Sequence, residues 1–288
     1  MAAGWPVSED LPVIDRIQRL TLDELPDCLA LAQDREWLPE QHKWRLLFDV
    51  GSVYGLRNEV GDLVGTTILT RYGAQLAAIS MVLVAAHYGG RGLGRQLMQH
   101  ALAEAGDATV FLNATEQGRP LYEKLGFVSV GTTYTHVGRF APPAGPAGSR
   151  PAVPGDLPAI LKLDTEINGA DRSHLVQRLP GFAEQLRVVE RGGVVSGYAG
   201  AWRNIDNVLI GPVLAETVND AKTLIADLAG TISGPVRFDL DDRHPQLREW
   251  ATQHAVPVRN STAVMVHGAQ PLPGDRGRWF IPVMQALG

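Results

Sequence analysis

The sequence predicts an α/β (α+β) fold in two tandem halves, each a mixed, mostly antiparallel central sheet flanked by helices. Three observations carry this expectation. A β-branched run at 79–84 enters a glycine-rich loop and leaves it as a helical pattern. Residues 141–150, Ala-Pro-Pro-Ala-Gly-Pro-Ala-Gly-Ser-Arg, form a Pro/Gly/Ala linker unable to sustain helix or strand. The order of periodic segments before this linker recurs after it. The division is therefore 1–140, a linker at 141–150, and 151–288. With 288 residues, each half has room for a modest core.

Taken in order, the first half reads as a strand at 16–20, helices at 22–33 and 40–48, and strands at 51–57, 62–70 and 75–84. Gly61-Asp62 between two strand patterns is a hairpin signal. The next helix, 92–105, places Leu93, Leu97, Met98, Ala101 and Leu102 on one face. A strand at 108–112, a helix at 116–125 and a strand at 127–139 close the half. After the linker, 156–166 is helical with Pro158 in its first turn, and 173–179 is a second helical piece. Strands follow at 186–191, 194–202 and 206–213, then helix 217–230, strand 235–240, helix 244–254, and strands near 263–267 and 278–284.

The loop at 89–95 points to a phosphate ligand. The first N–H groups of a helix have no partner inside it, and the aligned peptide dipoles favour negative charge there. Gly90, Gly92 and Gly94 let the backbone approach a ligand, Leu93 opens the helix, and Arg91 and Arg95 add positive charge. A Walker loop needs Gly-Lys-Ser/Thr, whereas Gly94 is followed by Arg95 and Gln96. The dinucleotide fingerprint fails as well, because Gly90-x-Gly92-x-x-Arg95 lacks its third glycine and lies far from the N-terminus.

Gly92-Leu93-Gly94 after a hydrophobic strand resembles the pyrophosphate loop of the GNAT superfamily of acyl-CoA N-acyltransferases. A second segment, Leu121-Tyr122-Glu123-Lys124-Leu125-Gly126-Phe127, resembles the end of a later helix in the same superfamily. The resemblance implies tandem GNAT folds and acetyl-CoA as cosubstrate, with its pyrophosphate on the main chain of 90–95. It implies that Val82, Leu83 and Val84 pair with the pantetheine and polarise the thioester carbonyl. It also implies that Tyr122 protonates the departing thiolate, a task suited to a phenol. Two departures stand out. Gly89 occupies the place of the usual Gln or Arg, with the basic residue displaced to Arg91, and Thr115 stands where Asn often precedes the Tyr.

The second half resembles the C-terminal lobe of YitH-like bacterial acetyltransferases through Gly169-Ala170-Asp171-Arg172, Ser196-Gly197-Tyr198-Ala199, Ile210-Gly211-Pro212 and 284–288. Its counterpart of the phosphate loop is 211–216. Pro212 has no N–H there, and Glu216 repels a pyrophosphate. Trp250 lies in the helix corresponding to that of Tyr122. This half is therefore degenerate, an acceptor-side wall in place of a second cofactor site.

A net charge of −5 and the lack of a basic tract argue against nucleic acid as a partner. No apolar run approaches ~20 residues and 1–10 lacks a signal pattern, so no membrane partner and a cytoplasmic location are expected. Cys28 is the single cysteine and reads as core. The eight His are dispersed, so no metal is expected. Glu36 and Trp37 are candidate acceptor contacts; Asp171 and Arg172 read first as a structural ion pair between helices and otherwise as reaching across to the acceptor cleft. Trp44 reads as core, and His87 as an exposed loop residue. The expected function is N-acetyl transfer from acetyl-CoA to a primary amine, a small molecule or a peptide, by direct attack in the first half. The alternatives are a non-catalytic acyl-CoA sensor and a protein-interaction module.

Overall fold

The computed structural model describes residues 17–143, 145, 147–268 and 270–288. Residues 1–10, read above for a signal pattern, and the expected strand start at residue 16 lie outside them. The first half runs β1 (Gln18–Arg19), α1 (Leu25–Asp34), α2 (Gln41–Val50), β2 (Ser52–Arg57), β3 (Leu63–Tyr72), β4 (Leu76–Val84), α3 (Leu93–Ala105), β5 (Thr109–Ala114), α4 (Arg119–Lys124) and β6 (Val128–Gly138). The second runs β7 (Arg150–Pro151), α5 (Leu157–Asn168), α6 (Ser173–Val176), α7 (Leu179–Phe182), β8 (Gln185–Arg191), β9 (Val194–Arg203), β10 (Val208–Ala215), α8 (Val218–Ala229), β11 (Val236–Asp241), α9 (Pro245–Gln253), β12 (Val258–His267) and β13 (Trp279–Ile281).

Local chemistry explains the boundaries. Glu24 accepts the Thr21 main-chain N–H at 2.6 Å, closing a capping box ahead of α1. Gly61 (φ +94°) turns β2 into β3, and Gly73 (φ +62°) turns β3 into β4. Helix α4 is shorter than the expected 116–125 because Pro120 fits only the first turn. The expected helix at 173–179 is two short helices, because Pro180 starts a new one. Strand β13 stops at Ile281, since Pro282 has no N–H to continue a ladder.

The sheet order is β1-β2-β3-β4-β5-β12-β6-β11-β10-β9-β8-β7, with β13 on β10. The expectation that 127–139 closes the first half's own sheet is corrected here. Strand β12, from the second half, lies between β5 and β6, antiparallel to both. Strand β6 in turn pairs with β11, from Gly138↔Val236 to Thr133↔Asp241. The halves exchange strands, and one sheet runs through the molecule. Periodicity marks a strand but carries nothing about which distant strand lies beside it.

Helices cover both faces. Side chains alternate along β5, so Phe111 points to one face while Val110, Leu112 and Ala114 point to the other. Phe111 belongs to an apolar cluster joining Trp44 and Leu47 of α2 to Ile160 and Leu163 of α5, Leu175 of α6 and Leu179 of α7. Opposite, α3 lies on β3 and β4, its Met98 and Ala101 in one cluster with Val110 and Leu112 of β5, and α8 lies on β10, β9 and β8 through a cluster that includes Leu224 and Leu228. Contacts between halves also bridge the helix layer. His42 stacks on Phe182 with centroids 4.3 Å apart, and Asn204 donates to Glu40 at 2.6 Å.

An exchanged strand makes each half depend on the other. A fragment ending at residue 145 lacks β12 and β11, leaving β5 and β6 with unpaired edges. We expect the full chain to melt in one cooperative calorimetric transition, and this fragment to show none. Two separate transitions in the full chain, or a cooperative melt of the fragment, would contradict the coupling.

Candidate active site

Strands β4 and β5 are parallel neighbours only from Leu76↔Thr109 to Ala78↔Phe111. Beyond Ala78, among the described residues, β4 keeps β3 as its one strand partner, while β5 keeps β12. The two diverge into a slot, along which Val82, Leu83 and Val84 form one wall. Met81 holds φ +49°, and the β3–β4 register shifts between Thr66 and Ile68. This irregularity sits at the mouth of the divergence and bends β4 away.

The glycine loop stands at the open end of the slot. Gly90 (φ +75°) and Gly92 (φ +82°) hold the left-handed conformation, and a Cβ at either would meet nothing within 4 Å. Their need for glycine is conformational, and the space above them is open. Gly92 caps α3 without a side-chain hydrogen bond, so the first N–H groups of the helix face that space uncapped. Leu93 is buried and anchors the helix, whereas Arg91 and Arg95 are exposed. Arg91 lies over the Tyr88 ring at 4.9 Å, and Asp34 accepts the Ala86 N–H at 2.6 Å, pinning the loop.

Tyr122 lies under the other wall, buried among Met98, Leu112, Ala114 and Phe127. A Cβ on Gly118 would sit 3.0 Å from its Cε2 and 3.3 Å from its hydroxyl, so this glycine makes room for the phenol. Burial pushes the Tyr122 phenol up to about 12. An open depression of about 540 Å³ lies beside this turn, lined by Trp37, Thr115, Glu116 and Gln117. Trp37 reaches it from a Schellman cap on α1. Its N–H donates to Ala32 at 2.9 Å, and Glu36 takes the left-handed position (φ 60°) that glycine usually fills. The Glu36 side chain is exposed.

Two matches decide the family. Residues 49–129 and 160–281 each match a model described as an acetyltransferase (GNAT) domain. The chain belongs to the GNAT superfamily. It is similar to the uncharacterized N-acetyltransferase YitH of Bacillus subtilis (strain 168), 26% identical over 285 residues, covering 96% of this chain and 100% of that protein. Among solved structures, a Pyrococcus horikoshii protein provisionally named an acetyltransferase superposes with a TM-score of 0.78 at 17% identity, covering 100% of both chains. A tandem GNAT protein from the clavulanic acid biosynthesis pathway gives 0.62 at 15% identity, over 90% of this chain and 99% of that one. The chain is an acetyltransferase of tandem GNAT fold, and acetyl-CoA is the cosubstrate of that superfamily.

The second GNAT half repeats the divergence but not the slot. Strand β10 pairs in parallel with β11 only from Val208 to Ile210, and the space beyond is taken by β13 through Val213↔Ile281 and Leu214↔Trp279. A Cβ on Gly211 would lie 2.2 Å from the Pro282 carbonyl oxygen. Thr217 caps α8 by accepting from the Asp220 N–H at 3.2 Å, and Glu216 is ion-paired with Arg278. The counterpart of the phosphate loop is thus part of a filled strand.

On the face shared with Phe111, between the helices of the two halves, lies a polar floor. Thr133 donates to Asn113 Oδ1 at 3.0 Å, Gln285 donates to Thr135 and Asp239 at 2.9 and 3.0 Å, and Arg237 holds Asp239 with two bonds. Sequence reasoning missed these residues, because only strand exchange brings β5, β6, β11 and β12 together.

The ion pair expected between Asp171 and Arg172 is absent and is corrected. Asp171 is exposed and accepts the Ser173 N–H at 2.9 Å. Arg172 is 2% exposed and grips Asp164 through Nε and Nη2 at 3.1 and 3.0 Å, with Nη1 donating to the Gly288 oxygen at 2.9 Å. Tyr198 adds a 2.5 Å bond to Asp164. The neighbouring Asp171 is outside, just ahead of α6. Cys28 is buried, which pushes its thiol up to about 12, and Trp44 is core. His87 is exposed. Among the described residues, no three His, Cys, Asp or Glu side chains are placed to hold a metal. No helix there is long and apolar enough to cross a membrane.

Two measurements check this geometry. A phenol pushed to about 12 stays neutral through the alkaline titration of exposed tyrosines. The spectra of wild type and Tyr122→Phe are therefore expected to show no phenolate difference up to about pH 11. Asp164→Asn leaves the buried Arg172 guanidinium uncompensated, and a loss of roughly 3–5 kcal/mol in stability is expected by denaturant titration.

Proposed function

We propose that the first half binds acetyl-CoA and transfers its acetyl group to a primary amine, while the second half walls the acceptor side. The observation that carries this reading is the contrast between two equivalent divergences, one open beneath a bare glycine cradle and one filled by β13. The N–H groups of 90–95 receive the pyrophosphate, with Arg91 and Arg95 adding charge. The pantetheine lies in the slot against Val82, Leu83 and Val84, whose main-chain groups complete the interrupted pairing and polarise the thioester carbonyl. Trp37 and Glu36 border the acceptor's approach.

The nitrogen lone pair forms the C–N bond, and the C–S bond breaks with its electrons going to sulfur. Tyr122 protonates that sulfur, and the proton lost by nitrogen returns to the phenolate through solvent. A phenol at about 12 is a reluctant donor in water, but the apolar slot that raises it also destabilises an unprotonated thiolate beside it. The acid is present over the whole physiological range, so any pH limit on turnover comes from deprotonating the amine.

Tyr122→Phe keeps the ring and its packing. Its acetyl-CoA affinity is expected to hold while kcat falls by about 10²-fold, and the deficit shrinks for an acyl donor with a more acidic leaving thiol. Undiminished kcat in that variant would remove Tyr122 from the chemistry. Introducing valine at both Gly92 and Gly94 forces a side chain into a left-handed position and into the cradle. A loss of about 2 kcal/mol in calorimetric acetyl-CoA binding is expected, roughly 30-fold. Unchanged affinity would place the cofactor elsewhere.

A further inference from the structure

At the foot of the slot, on the face away from α3, lies a crevice whose lining includes Phe111, Asn113, Asp241, Arg243, Arg276 and Trp279. We infer that this crevice seats a carboxylate of the acceptor, which makes the substrate class amino acids or other small amines bearing a carboxylate. The inference rests on the acetyl-transfer reading above and goes beyond it to substrate class.

Position is the first argument. Ala78↔Phe111 is the last parallel pair before β4 and β5 part, so Phe111 marks the closed end of the slot. A donor anchored at 90–95 and running down β4 from Val84 carries its acyl end towards that point. A crevice opening beside Phe111 and Asn113 is therefore where an acceptor meets the acyl group from the opposite face.

The second argument is polarity. Among the residues lining the crevice, the buried side-chain atoms without a hydrogen-bond partner are Arg276 Nε and Trp279 Nε1. Both are donors, whereas the acceptors at the crevice edge are already engaged, Asp241 by Arg243 and the Gly288 oxygen by Arg172, so the groups left unmatched call for a ligand that accepts. Charge agrees. Arg172 is matched by Asp164 and Arg243 by Asp241, at 3.0 and 2.7 Å. Arg276 has no ion pair among the described residues, and its guanidinium lies 5.1 Å from the Trp279 ring centroid. Burial, with Arg172 and Arg243 nearby, pushes Arg276 down to about 10, which an arriving anion would reverse.

Size is the third argument. The free space is about 20 Å³, room for one or two waters. A carboxylate is a compact anion of that scale, and its two oxygens match a guanidinium fork. Arg276, Arg243 and Trp279 all come from the second half, and Phe111 and Asn113 from the first. The degenerate half thereby gains a defined role, reading the acceptor's charged end.

The test uses the full chain. Thiol release is followed for the common amino acids, each beside its carboxamide. The acids are expected to exceed their amides by about 10²-fold in kcat/KM, because an amide leaves the buried guanidinium unmatched. In Arg276→Met that ratio is expected to collapse towards one through loss on the acids; Arg276→Gln serves if the first variant does not fold. Independently of turnover, N-acetylglycine is titrated against the Trp279 indole N–H resonance, assigned through Trp279→Phe. A saturable shift that disappears in the Arg276 variant is expected. Equal use of acids and amides, a ratio unaltered by the variant, or no indole shift up to about 50 mM would each overturn the inference. A shift with no amine acetylated would sink the transfer reading and leave the carboxylate seat standing.

Discussion

The arrangement depends on one pairing above all, the insertion of β12 between β5 and β6. Through Val264↔Asn113 and Thr262↔Thr133 it joins the wall of the first half's slot to the strand that leads into the second half. Without it β5 has β4 alone as a neighbour, and only over three residues. A slot made by prising two strands apart loses ladder hydrogen bonds, so the strand on its far side must be held by something else. Here β12 holds it, over five residue pairs from Ala263↔Ala114 to His267↔Val110. The cleft can open because β5 is anchored from behind.

The same exchange explains the polar floor. Central strands covered on both faces are ordinarily apolar throughout. Asn113, Thr133, Thr135, Thr262 and Asp239 instead share one face of four strands drawn from both halves, and they hydrogen-bond one another and Gln285. Such a network fixes the register, since sliding any strand by one residue would bury these groups against hydrocarbon. It also leaves, between the helices of the two halves, a surface that a polar acceptor can approach.

Much of the fold was legible from periodicity and punctuation. The helix and strand segments fell within a few residues of their expected places, because β-branched runs, Leu and Ala at helical spacing, and Pro or Gly at the ends act locally. The family was legible from two short segments, Gly92-Leu93-Gly94 and 121–127. What escaped was long-range. The Asp171-Arg172 dipeptide suggested a pair, whereas the guanidinium turned inward to Asp164 and Tyr198, a choice set by tertiary burial. Pro212 and Glu216 suggested a failed phosphate loop, but the direct reason is β13 lying in the gap, and nothing in 279–281 announces that partner. Gly118 drew no reading from the sequence, because its part, making room for the Tyr122 phenol, depends on a chain turn that no sequence window displays.

The two halves show how one topology supports opposite outcomes. In each, a parallel pairing three residues long releases its strands, and the edges left behind need hydrogen-bond partners. In the second half those partners come from within the chain, as β13 docks on β10 and an apolar cluster including Phe280 and Ile281 seals the site. In the first half no strand among the described residues fills the gap, and the loop above it is rich in glycine with an uncapped helix beneath. A protein edge left open in this way is stable only when flanking strands hold it rigid and when something extended, with its own donors and acceptors, completes the ladder. Pantetheine, an extended chain carrying amides, has that chemistry. The filled half secures the frame, and in the proposed reading the open half is where the pantetheine lies.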